Sequence, residues 1–131
     1  MTAALLLLAL LAPQAPADAL PETPQGKRVS TYIQAFNAGD EKAFMAMQEA
    51  QIKPEALQKR SAEERAALYK RMRGDFGALN VTRVLKASAT EIELLVPNKE
   101  GIEATLKFSF DAAAPHYISG IAVEIDRGPG L

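Results

Sequence analysis

The sequence predicts an α+β domain in which N-terminal helices pack on a curved antiparallel four-strand sheet. Three observations carry that expectation. Apolar residues recur at helical spacing as far as about Arg73, and from Asn80 the pattern changes to alternation. Glycines, prolines and capping residues fall at the joints between these segments. Helices collected at one end of a chain and a strand meander at the other make two layers around one core.

Leu20 to Glu22 reads as a short linker, and Thr23-Pro24 as a helix start. Threonine caps, and proline sits at the first helical position, where its missing N–H costs nothing. Val29, Tyr32, Ile33 and Phe36 then follow at i, i+3, i+4 and i+7, one helical stripe. Gly39 is a left-handed stop and Asp40 the cap of a second helix, whose apolar side carries Phe44 and Met47. Lys53-Pro54 breaks that run, and Pro54 to Arg60 holds a short helical turn. Ser61 and Glu64 form a capping box. The third main helix is expected from Ala62 to Arg73, with Leu68, Tyr69 and Met72 apolar, ended by Gly74 and Gly77.

Strands are expected at Val81 to Lys86, Thr90 to Val96, Ile102 to Phe110 and Tyr117 to Asp126. The turn Pro97-Asn98-Lys99-Glu100-Gly101 joins the second to the third. Alternation assigns Ile102, Ala104, Leu106, Phe108 and Phe110 to the dry face of the third strand. On the last strand it assigns Tyr117, Ser119, Ile121, Val123 and Ile125 to that face. Glu91, Glu93, Glu103 and Glu124 fall on the wet one.

Ala3 to Ala12 is an unbroken apolar run, stopped by Pro13 and Pro16 and followed by Ala17-Asp18-Ala19. An apolar stretch of that length before an A-x-A site reads as a signal peptide cleaved after Ala19. It is shorter than the roughly 20 residues a membrane span needs. The expectation is therefore a secreted or periplasmic protein, with residues 1–19 as signal peptide, 20–126 as the domain and 127–131 as a tail.

Composition limits the chemistry. A chain of 131 residues with 48% apolar residues and a formal charge of -1 fits one packed domain with no global field toward nucleic acid or anionic membrane. The absence of cysteine removes disulfides, thiolate nucleophiles and thiolate metal sites. With a single histidine as well, neither a metal nor a cofactor is expected.

The stretch Ala35-Phe36-Asn37-Ala38-Gly39-Asp40 followed by Phe44 resembles the helix–Gly–Asp–helix entry of the NTF2-like (SnoaL-like, cystatin-type α+β) fold. That resemblance extends over roughly Thr23 to Asp126. Together with Thr23-Pro24-Gln25-Gly26 and Ala114-Pro115-His116-Tyr117-Ile118-Ser119-Gly120-Ile121, it looks like the small accessory domain beside secreted serine β-lactamase-like hydrolases. The Ser-x-x-Lys motif of those hydrolases is absent, so their chemistry does not carry over. The resemblance implies a cone with a pocket between sheet and helices.

Within such a pocket the candidate ligand-binding residues are Tyr32, Arg65, Tyr69, Phe108 and Tyr117. Arg65 points between Leu68 and Tyr69, a cation inside an apolar stripe. It either receives an anionic ligand or serves as an ion pair or a chain reaching for water. Each tyrosine either donates to a ligand oxygen or packs with its hydroxyl tied to the backbone. His116 is a lone imidazole in a loop, and the basic segment Lys59 to Arg73 reads as a solvated face.

No residue is assigned a catalytic role. The expected function is an exported non-catalytic module that binds a small apolar ligand, pairs with a second copy through its sheet, or assists a hydrolase partner. The alternative is a small isomerase, dehydratase or cyclase of the SnoaL or ketosteroid-isomerase type. An ionisable side chain buried at the pocket floor separates the two.

Overall fold

Thr23 opens the first helix as its sequence requires: the hydroxyl accepts a hydrogen bond from Gly26 N–H at 3.1 Å, one turn ahead. The computed structural model describes residues 19–125. The expected signal peptide, apart from Ala19, and the expected tail lie outside those residues.

Four helices precede four strands: α1 (Pro24–Ala38), α2 (Glu41–Gln51), α3 (Pro54–Leu57), α4 (Ala62–Phe76), β1 (Arg83–Ala87), β2 (Glu91–Pro97), β3 (Glu103–Phe110) and β4 (Ile118–Ile125). Gly39 ends α1 with φ 77°, and Asp40 begins α2 by accepting from Ala43 N–H at 3.1 Å. Gly26 sits where the preceding chain folds back over α1; a Cβ there would lie 1.9 Å from the Pro21 carbonyl oxygen.

The capping box at α4 is complete. Glu64 N–H donates to Ser61 Oγ at 3.1 Å, and Ser61 N–H donates to Glu64 Oε1 at 2.8 Å. The Ser61 backbone N–H foremost, and then the Ser61 hydroxyl, hold the Glu64 carboxyl below its usual range. The helix passes through Gly74 and stops only at Gly77, one turn later than its glycines suggested. The extra turn buries Phe76 in the core, and that burial outweighs the weak helix propensity of one glycine, about 1 kcal/mol.

The strands form one antiparallel sheet in the order β1-β2-β3-β4, an α+β architecture with the helices N-terminal to the sheet. One face is dry. Ile92, Leu94, Val96, Ala104, Leu106 and Phe108 are all buried, and they join Val29, Phe36 and Phe44 of the helices in a single core.

Two bulges change the phase of the alternation. Between Val84 and Lys86 an extra residue, Leu85, stands opposite the Leu94–Glu93 step, and its side chain is exposed. Between Gly120 and Ile118 the extra residue is Ser119, opposite the Ser109–Phe110 step. The second bulge corrects the expected face of β4. Ile121, Val123 and Ile125 oppose Phe108, Leu106 and Ala104 as expected, but upstream of the bulge Ile118 takes the inward place. Tyr117 lies outside the strand.

Ile102 is also corrected. It belongs to the β2–β3 turn, where its N–H donates to Asn98 Oδ1 at 2.9 Å, and its side chain is exposed. The last strand is tied to the helical layer at its start: Lys53 N–H donates to the Ile118 carbonyl at 2.8 Å. No helix among the described residues is long and apolar enough to cross a membrane.

Candidate functional site

Four aromatic rings, backed by a fifth from the sheet, set the floor of the site. Spacing of four residues puts Tyr32 and Phe36 on one face of α1, and α2 and α4 bring Phe44 and Tyr69 against them. Phe44 stacks on Tyr69 with centroids 4.4 Å apart, and Phe36 meets both edge-on at 5.8 and 5.6 Å. Tyr32 stands edge-on between Phe44 and Phe108, 5.3 Å from each. Edge-to-face and offset contacts are the favoured geometries of such rings.

Above this floor, between α4 and β4, lies a cleft of about 660 Å³. This falls within the usual range of small-molecule sites, about 300–1,000 Å³. On the sheet side it is walled by Ile118, Ile121, Val123 and Ile125, and on the α4 side by Arg65, Leu68, Tyr69 and Met72. The α4 residues recur at i, i+3, i+4 and i+7, so one stripe of that helix faces the cleft. The wall is unfinished at the sheet edge, where Val123 and Ile125 remain 37% and 40% exposed.

Polar groups enter at few places. Gln48, four residues after Phe44 on α2, is 8% exposed, and its Oε1 accepts from Arg65 Nη1 at 3.3 Å. The Tyr69 hydroxyl is buried and has no hydrogen-bond partner among the described residues. Burial pushes the Tyr32 phenol well above its ordinary pKa and keeps it protonated. Lys59, Arg60 and Arg71 stand with Arg65 around the cleft, and no aspartate, glutamate or histidine of the described residues lines it.

The structure thus brings together three of the five candidate residues, Tyr32, Arg65 and Tyr69. Phe108 is fully buried behind Tyr32 and supports the floor rather than lining it. Tyr117 lies apart from the cleft, its ring under the Arg28 guanidinium at 4.8 Å. Arg28 also donates to Gln51 Oε1 at 2.7 Å and to the Pro115 carbonyl at 3.0 Å, so this corner ties α1 to the β3–β4 loop. His116 belongs to that loop, with φ 62° and Nδ1 3.1 Å from the Asp111 carbonyl. No group of three or more His, Cys, Asp or Glu side chains suited to a metal occurs among the described residues.

Gln48 was not singled out by the sequence, although its i+4 spacing from Phe44 is the signal that finds it. The basic residues were visible, but as a solvated face; only the approach of β4 turns them into a rim. No protein-family model, curated protein or solved structure matches this chain.

Proposed function

We propose that this chain is an exported, non-catalytic NTF2-like module that binds a small, largely apolar ligand in the cleft between α4 and β4. The observation that carries this reading is the composition of the cleft: an aromatic floor and aliphatic walls, with a few polar groups at defined places. Apolar walls with few directed polar groups are the usual form of a small-molecule site. The absence of a carboxylate or imidazole among its described lining residues favours a binder over an acid–base enzyme. Export rests on the apolar run Ala3 to Ala12 and the Ala17-Asp18-Ala19 site. Assistance to a hydrolase partner rests on the resemblance alone.

One observation favours the alternative of an isomerase, dehydratase or cyclase. The unpaired Tyr69 hydroxyl is a donor in an apolar setting, suited to a developing oxyanion. It lacks a base beside it, and proton abstraction needs one.

The test uses the neutral apolar dye Nile red with the purified protein. Saturable binding at one dye per chain, lost in Leu68→Asp with the far-ultraviolet circular dichroism unchanged, is the expected result. Binding unaffected by Leu68→Asp, or no binding, overturns the reading. N-terminal sequencing of protein recovered outside the cytoplasm is expected to begin at Leu20, and another first residue overturns the cleavage site; uncleaved protein found in the cytoplasmic fraction alone overturns the export claim.

A further inference from the structure

We infer that the ligand of this cleft is an amphiphilic anion, an apolar body ending in a carboxylate or phosphate head that is held at Arg65. The inference rests on the binding role proposed above and adds the chemical class of the ligand.

The first argument is the pairing of charges. Away from the cleft, four lysines have carboxylate partners, Lys53 with Asp111 at 3.3 Å, Lys70 with Glu41 at 3.5 Å, Lys107 with Glu124 at 3.2 Å, and Lys86 with Glu91, whereas Lys27, Lys42 and Lys99 have none among the described residues. Lys59, Arg60, Arg65 and Arg71, which surround the cleft, have no such partner among the described residues. Glu64, the nearest carboxylate in sequence to Arg65, is turned back to its own capping bonds with Ser61. The apolar hollow is thus bordered by four cations that no carboxylate of the described residues neutralises, and no carboxylate lines it.

The second argument is unused hydrogen-bonding capacity. Arg65 carries five N–H donors. It makes two long bonds, to Gln48 Oε1 at 3.3 Å and to the Arg60 carbonyl at 3.5 Å. The rest of its planar fork is free, and that fork matches a carboxylate or phosphate with two parallel bonds. One helical turn further along α4, the buried Tyr69 hydroxyl is a donor without an acceptor. A neutral hydrocarbon leaves these donors unsatisfied, whereas an anionic head supplies several acceptor oxygens.

The third argument is the division of the site. Ile121, Val123, Leu68 and Met72 offer only apolar atoms to a tail, and the cations stand at the rim. A ligand with both characters satisfies both halves.

The test compares dodecanoate and dodecyl phosphate, each below its micellar concentration, with dodecanol below its solubility limit, by Nile red displacement on the whole protein. At least one anion is expected to bind about tenfold or more tightly than the alcohol, the size of one charge-assisted hydrogen-bonded pair. The better anion identifies the head. Arg65→Gln is expected to remove that preference, bringing the affinity for the better anion to within about threefold of that for dodecanol. A second readout needs no variant: salt should weaken binding of the anion and not of the alcohol, because the rim is solvated. Equal affinities for all three overturn the inference and leave the apolar binding site standing. Failure of every probe, with Nile red also unbound, overturns both. A preference for anions unchanged in Arg65→Gln overturns the placement of the head.

Discussion

Asn37 grips the backbone of Leu79 with both ends of its amide. Its Nδ2 donates to the Leu79 carbonyl at 3.1 Å, and its Oδ1 accepts from the Leu79 N–H at 2.7 Å. The residues are 42 positions apart, and the two bonds fasten the end of α1 to the connection between α4 and β1. Leu79 itself is 2% exposed, so the clamp holds the point where the helical layer hands over to the sheet.

Loss of this clamp should be costly for a residue whose own side chain is exposed. Asn37→Ala removes two hydrogen bonds and leaves a part-buried backbone donor and acceptor without protein partners. The expected destabilisation is about 1–3 kcal/mol, read as a lower urea midpoint with an unchanged m-value. Asn37→Asp keeps the acceptor and should recover part of the loss. An alanine variant with the wild-type midpoint would show that water replaces the amide at no cost.

Gly26→Ala sets two effects against each other. Alanine improves helix propensity by about 1 kcal/mol. The new methyl, however, would stand 1.9 Å from the Pro21 carbonyl oxygen and 3.2 Å from Pro21 Cγ. Backbone at that distance must move, and overpacking of this kind costs about 1–3 kcal/mol. The variant should therefore melt below the wild type, with the Leu20–Pro21 segment opening to proteolysis. A melting temperature at or above that of the wild type rules the overlap out.

Much of the architecture was legible because it rests on local rules. Thr23, Gly39, Asp40 and the Ser61–Glu64 box each act within a few residues, and alternation in β2 and β3 reads directly onto the buried face. What the sequence hid depends on distant partners. The bulges at Leu85 and Ser119 exist only relative to neighbouring strands, and they decide that Ile118 rather than Tyr117 or Ser119 enters the core. The continuation of α4 through Gly74 is decided by the burial of Phe76. For the site, Arg65 is legible from its direction on α4 and Gln48 from its spacing after Phe44, whereas the rim of Lys59, Arg60 and Arg71 exists only once β4 is in place.

Alkaline pH should act on the floor of the cleft. In the unfolded chain the Tyr32 phenol ionises near pH 10, but burial keeps it protonated well beyond that in the fold. Above the unfolded pKa the unfolded state binds fewer protons than the folded one, so stability falls as pH rises. Below it the contribution is fully present. The slope attributable to this one group approaches about 1.4 kcal/mol per pH unit. Chemical denaturation between about pH 8 and pH 12 should show a decline that is shallower in Tyr32→Phe. Equal slopes in the two proteins would mean that the phenol titrates freely in the folded state.

Tyr69→Phe should separate stability from binding. The hydroxyl is buried without a partner, and such a group costs about 1–3 kcal/mol against one that is satisfied. Removing the oxygen keeps the stacked contact with Phe44 at 4.4 Å and the edge contact with Phe36 at 5.6 Å. The ligand-free variant should therefore be as stable as the wild type or more so, by up to about 1 kcal/mol. If the hydroxyl donates to the head of a bound anion, the same substitution should weaken dodecanoate or dodecyl phosphate while leaving dodecanol unaffected. A gain in stability with a loss of anion affinity marks a group held for the ligand. A loss of stability would instead show that the hydroxyl has a partner in the folded chain, and Tyr69 would then belong to the core alone.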